Sequence, residues 1–180
     1  PLSAKNDPKS PWWEMGFIEP DYMKVWVEDS SVLDINNRVF FRAGGSSAAG
    51  GEPEDGTESA LGWGPVSGSG KSVTGALLPK LIFVRWQSIS EQKTYQGFMA
   101  IPEEARQLMV KSTHQRCPKT PERDARYKAT LYVGLAPGGI LQAWVRDSCH
   151  RPVKVARAQG EIEPLGPAQG KKGGRYAYPV

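Results

Sequence analysis

The chain has 180 residues, 39% of them hydrophobic and 23% charged, with a formal net charge of +4, which is the range of one soluble globular domain with a real core. The charge is mild and mixed in sign: no block of like charges and no basic module marks a nucleic-acid binder, and no stretch approaches the ~20 apolar residues of a membrane span. Twenty Gly and fifteen Pro argue for many turns and short strands rather than long helices.

Residues 1–11 hold three Pro among scattered Lys, Asn and Asp and read as a leader or linker left after removal of a targeting segment. A single β-rich domain is expected over residues 12–165. It opens on a short strand, Trp13 to Ile18, ended by Glu19-Pro20-Asp21. Tyr22 to Asp29 alternates, with Met23, Val25 and Val27 on one face and Lys24, Trp26 and Glu28 on the other, the period of a half-buried strand. Asp29-Ser30-Ser31 leads into Val32 to Ile35, and Asn36-Asn37 predicts a hairpin turn toward Arg38 to Arg42, because Asn tolerates left-handed backbone.

Residues 43–72 are rich in Gly and Ser, acidic between Glu52 and Glu58, with few apolar anchors beyond Leu61 and Trp63. The stretch is too long for an ordinary connection and reads as a mobile or functional loop. Leu81 to Gln87 follows, apolar on both faces like a central sandwich strand, with Pro79 at its edge and Thr94 to Ile101 as its antiparallel neighbour. One helix is signalled at residues 102–111: Pro102 suits the first helical position, Glu103 and Glu104 suit the positive end of the dipole, and Lys111 suits the last turn. Ala105, Leu108 and Met109 share its apolar face. Thr130 to Leu135 and Ile140 to Val145 flank Ala136-Pro137-Gly138-Gly139, where Pro then Gly fits a type II turn. Pro152 to Ala156 adds a strand, and residues 166–180 form a Gly/Lys/Tyr tail. The expected fold is therefore mainly β: an antiparallel β-sandwich-like domain with one short α-helix and long Gly-rich loops.

Chemistry-bearing motifs are thin. Gly68-Ser69-Gly70-Lys71-Ser72 resembles the end of a phosphate loop, but Pro65 stands where the first Gly is needed, and Gly75 and Pro79 argue against the required helix. No Gly-x-Ser-x-Gly pentad occurs. Glu103 and Glu104, being adjacent, diverge around a helix and do not make an acid–base pair. Cys117 and Cys149 lie in polar, loop-like surroundings, which favours a disulfide and an oxidising compartment over buried free thiols. The rival is a metal site completed by His114 and His150, whose spacing is not that of a structural zinc centre. Neither a metal, nor any other cofactor, nor an enzymatic activity is expected. What remains suits contact with a protein: the long loop with Trp63 and Lys71, the tail with Arg175, Tyr176 and Tyr178, and six Trp in all, residue types that interfaces favour at hot spots.

Several segments resemble a family of Gram-negative bacterial lipoproteins classed as a domain of unknown function. They are Gly16-Phe17 with Tyr22 to Asp29, Gly62-Trp63-Gly64, Leu78 to Ser88, Tyr132 to Ile140 and Val155 to Gly160, so the resemblance runs from about Trp13 to the tail. Members carry an N-terminal signal and a lipidated cysteine, which implies a periplasm-facing protein whose only tie to a membrane is a lipid anchor missing from this chain. Some such lipoproteins are encoded beside type VI secretion phospholipase effectors and look like their immunity proteins. The resemblance thus implies a protein that binds and inhibits a lipase or phospholipase effector; it brings no assigned catalytic residues. The alternatives are a structural or adaptor lipoprotein of the envelope without a toxin partner, and an enzyme using Cys149, His150 or His114.

Overall fold

A computed structural model describes residues 13–43, 46–47, 63, 66, 68, 70–125, 129–147, 149, 151–175 and 177–179. In chain order the elements are β1 (Glu14–Ile18), β2 (Val25–Asp34), β3 (Val39–Phe41), β4 (Ser46–Ser47), β5 (Lys71–Ser72), β6 (Pro79–Ser88), β7 (Lys93–Ala100), α1 (Glu103–Lys111), β8 (Thr130–Ala136), β9 (Ile140–Arg146), β10 (Val153–Gln159) and β11 (Glu161–Ile162). They form two sheets. One has the order β10-β9-β8-β1-β5; the other has the order β11-β7-β6-β2-β3, with β4 pairing the first half of β2. All pairs are antiparallel except β1 with β8, which is parallel. The mainly β, sandwich-like expectation therefore holds, with one parallel pair inside it.

The period-2 pattern places the core. From the six-stranded sheet, Val25, Val27, Val32, Ile82, Val84, Trp86, Tyr95 and Met99 point inward; from the other sheet come Met15, Leu131, Val133, Leu135, Leu141, Ala143 and Val145, all buried. β6 is central, as expected, yet it is not apolar on both faces in effect. Ile82, Val84 and Trp86 are fully buried, whereas Leu81, Phe83 and Arg85 are only half-buried on the outer face. An antiparallel sheet can leave one face open to solvent, and this one does over part of its area.

β2 departs from the two-segment reading of residues 22–35. It is one ten-residue strand, interrupted by a bulge between Val27 and Asp29 where its register against β6 shifts. The extra residue turns both Glu28 and Asp29 away from the core and returns Ser30, Val32 and Asp34 to it, giving the observed sequence of buried positions. Met23 lies before the strand, in a turn where its N–H donates to the Pro20 carbonyl. The Asn36-Asn37 turn is present, with Asn37 at φ 59°, and β2 pairs with β3 across it.

Helix α1 starts at Glu103, with Pro102 as its cap at φ −73°, ψ 162° rather than as its first helical residue; the extended ψ places Pro102 before the turn begins. Ala105 and Met109 are buried and Leu108 packs beside them, so packing holds a helix too short to stand alone. The hairpin β8–β9 closes over Pro137-Gly138-Gly139, with Gly138 and Gly139 both at positive φ (81° and 80°). The next segment does double duty: β10 pairs with β9 in one sheet, and after Gly160 the chain continues as β11 on β7 in the other. A Cβ at Gly160 would lie 2.9 Å from two carbonyl oxygens, those of Gln96 and Gly139, so only glycine lets the chain turn the corner there.

Cys117 and Cys149 form a disulfide, with Cα atoms 5.5 Å apart and 32 positions between them in sequence. It ties the segment after α1 to the segment after β9 and occupies both sulfurs, which removes the thiolates that the metal reading needed.

Candidate functional site

The two outer faces of the sandwich differ in how they are finished. On the five-stranded sheet, Ile18, Tyr132 and Trp144 make a second buried cluster, roofed by Trp63 and Val66. Trp63 stands edge-on to Trp144, ring centroids 5.0 Å apart at 78°, and a Cβ at Gly134 would lie 2.6 Å from its ring. Tyr132 Oη donates to the Gly68 carbonyl at 3.0 Å and Arg146 Nη1 to the Val66 carbonyl at 2.7 Å. Trp63, expected as a partner contact, is thus placed as the half-buried lid of a small apolar cluster.

On the six-stranded sheet the outer face is finished at one end only. Beyond β11 the chain folds back over Trp26, Glu28, Gln87 and Thr94. Both carboxylate oxygens of Glu28 accept the Ala168 N–H, at 2.8 and 2.9 Å. Gln87 Oε1 accepts the Tyr178 N–H at 2.6 Å, and the hydroxyls of Tyr178 and Thr94 lie 3.3 Å apart. The described residues of the 166–180 segment, read from sequence as a tail, therefore form an arm along the sheet. Tyr178 anchors it, Arg175 is exposed on it, and Tyr176 lies outside the described residues.

At the other end, nothing among the described residues covers the face. Phe41 on β3 is opposite Ser31 on β2; Ser31 is opposite Phe83 on β6; Phe83 is opposite Phe98 on β7. The result is a cross-strand row spanning about 14 Å at normal strand spacing. Phe41 is 75% and Phe98 62% exposed, and the rings of Phe83 and Phe98 lie 5.0 Å apart, tilted by 47°. Val39, 51% exposed, extends the row sideways with Leu33 and Leu81, its in-register neighbours. Scattered apolar residues on a surface need no explanation, but an in-register set of exposed Phe, two of them in ring contact, does.

None of these Phe residues stood out from sequence. The outward parity of Phe83 and Phe98 was legible in the alternation of their strands, but their alignment with Phe41 depends on the register across three strands. Of the other expected contacts, Lys71 is exposed on β5, paired opposite Met15, remote in topology from the row. Its place in a strand also sets it apart from a phosphate loop, which needs the N-terminus of a helix.

The remaining candidates for chemistry are dispersed. His114 is exposed with Nδ1 3.0 Å from the Thr113 hydroxyl, and His150 lies outside the described residues. Glu103 pairs with Arg106 Nη2 at 2.7 Å. No group of three or more His, Cys, Asp or Glu among the described residues is arranged to hold a metal ion.

The profile of a family described as a protein of unknown function (DUF2931) matches residues 2–169, so the chain belongs to that family. Neither a curated protein nor a solved structure matches it.

Proposed function

We propose that this member of the DUF2931 family is a periplasmic immunity protein that binds a type VI secretion lipase or phospholipase effector and blocks it, acting by contact rather than by catalysis. The exposed row Phe41–Phe83–Phe98 carries the reading. Strand pairing fixes the backbone beneath these apolar residues, and Phe83 and Phe98 are already in ring contact, which lowers the ordering cost of burying them against a partner. The Cys117–Cys149 bond supports an oxidising, extracytoplasmic setting, and the resemblance of the sequence to envelope lipoproteins supports an anchored, periplasm-facing form of the full-length protein.

The test is co-purification of the full-length protein with a lipase effector encoded beside it, paired with a lipase assay. A stable complex and loss of lipase activity are expected. Phe41→Asp and Phe98→Asp are each expected to weaken the complex by about tenfold or more, the loss of an aromatic hot spot. Absence of a complex at micromolar concentration, or a complex indifferent to both changes, would remove the reading.

A further inference from the structure

Where the C-terminal arm crosses the outer face, it leaves a cleft of about 500 Å³ between itself and the strands β2 and β6. Trp26, 40% exposed, lies along it. Among the described residues, four cations line it, Arg85, Lys171, Lys172 and Arg175, beside the carboxylate of Glu28. That carboxylate accepts the Ala168 N–H with both oxygens and forms an ion pair with Arg85, 3.8 Å from its Nε, a separation beyond hydrogen-bond reach. The Arg85 side chain is 15% exposed, and its Nε is buried without a hydrogen-bond partner. The ion pair with Glu28 leaves that one donor without a hydrogen bond, which is costly, and the surplus of cations around the cleft suits a carboxylate or phosphate oxyanion.

We propose that this cleft accepts the acidic side chain of an extended segment of the protein partner, whose next outward residues lie along the Phe83–Phe98 row. The inference rests on the reading above that the protein works by binding another protein, and it names the chemistry of the bound segment. Two observations favour a peptide segment over a lone anion or a lipid surface. Arg85, which lines the cleft, and Phe83 are successive outward residues of one strand, roughly 7 Å apart, so the aromatic row begins one outward position along β6 from the cleft. An extended chain with an acidic residue two positions from an aromatic one matches that spacing. A planar bilayer, by contrast, does not reach a guanidinium recessed beneath an arm.

The experiment is an NMR titration of the isotope-labelled chain with the peptide acetyl-Glu-Thr-Phe-Thr-Phe-amide and with its Glu-to-Gln counterpart. Inorganic phosphate and vesicles of phosphatidylglycerol in phosphatidylcholine form separate arms. Saturable shifts at the Trp26 indole and at the amides of residues 26–29 and 83–87 are expected with the acidic peptide. Binding about tenfold weaker is expected with the Gln peptide and in Arg85→Gln, because the charge pairing is lost. Lys171→Glu, an exposed change that leaves the fold alone, is expected to weaken binding likewise and keeps the test open should Arg85→Gln fail to fold. Equal binding of both peptides, no saturable shift, phosphate alone reproducing the shifts, or vesicles binding in the peptide's place would each overturn the proposal. Lys171→Glu also separates the two readings. An effector complex that forms normally with it, while the peptide fails to bind wild type, sinks the cleft and spares the protein-binding function.

Discussion

Asp34 shows how one polar side chain at the end of an apolar strand organises a turn. Its side chain is fully buried, and its carboxylate accepts the N–H groups of Asn36 at 2.9 Å, Arg38 at 3.0 Å and Leu77 at 3.1 Å, as well as Nε and Nη2 of Arg38. Burial opposes ionisation, but the backbone N–H groups of Arg38, Leu77 and Asn36 and the Arg38 guanidinium outweigh it and hold the pKa below the usual range. Its stabilisation is therefore present above the ordinary aspartate pKa and is lost as pH falls through the lowered one. Asp34→Ala is expected to cost roughly 2–4 kcal/mol in urea unfolding, since three backbone N–H groups and two guanidinium N–H donors lose their acceptor at a partly wet turn. Glu19 runs the other way. Burial raises it to about 7, against the lowering by the Val25 N–H and by Lys24. The folded state then binds a proton more tightly than the unfolded chain, so this group's contribution to stability falls as pH rises from 4.5 toward 7. Unfolding midpoints measured across that window should show the decline, and Glu19→Gln should flatten it; an unchanged slope would place its origin in another group.

Among the elements, two glycines decide how sheets and lids meet. At Gly160 the strand passes from one sheet to the other, and backbone carbonyls block any Cβ. Gly160→Ala is expected to cost about 1–3 kcal/mol, the usual range for overpacking against atoms that cannot yield, read as a lowered denaturant midpoint. At Gly134 the obstacle is the Trp63 ring and, at 2.7 Å, Trp144. Gly134→Ala should displace Trp63, visible as a change in near-ultraviolet dichroism with the β-sheet signal retained. Glu91 is a third joint: its Oε1 accepts both the Tyr95 hydroxyl at 3.0 Å and the Gly138 N–H at 3.1 Å, linking the β6–β7 turn to the β8–β9 turn across the two sheets. These joints were not legible in the sequence, because each depends on a neighbour far along the chain. The longer strands were legible from alternation and apolar runs, whereas the two-residue strands β4, β5 and β11 were not, β4 and β5 falling in a stretch read as a loop. β2 was the exception, since a bulge breaks the period and makes one strand read as two.

For the whole molecule, the asymmetry of the two faces matters most. One outer face is roofed by Trp63 and Val66; the other leaves an aromatic row open. Phe41→Asp and Phe98→Asp are expected to change stability by no more than about 0.5 kcal/mol, as exposed substitutions do, while weakening partner binding. A loss of folding in either variant would instead make the row part of the core. The disulfide closes a loop of 32 residues, and on the chain-entropy account its reduction should cost about 3–4 kcal/mol, measured as a lower thermal midpoint in reductant.

By itself the sequence determined the mainly β class, the single short helix, the β8–β9 turn and the cysteine pair, because period, turn chemistry and polar surroundings are local signals. Only the tertiary structure decided which outward residues share a face. It aligned Phe41, Phe83 and Phe98 through strand register, drew the C-terminal arm over Glu28 and Gln87, and set Trp63 edge-on against Trp144. Register and arm docking arise from pairings between residues distant along the chain, and no local pattern encodes those.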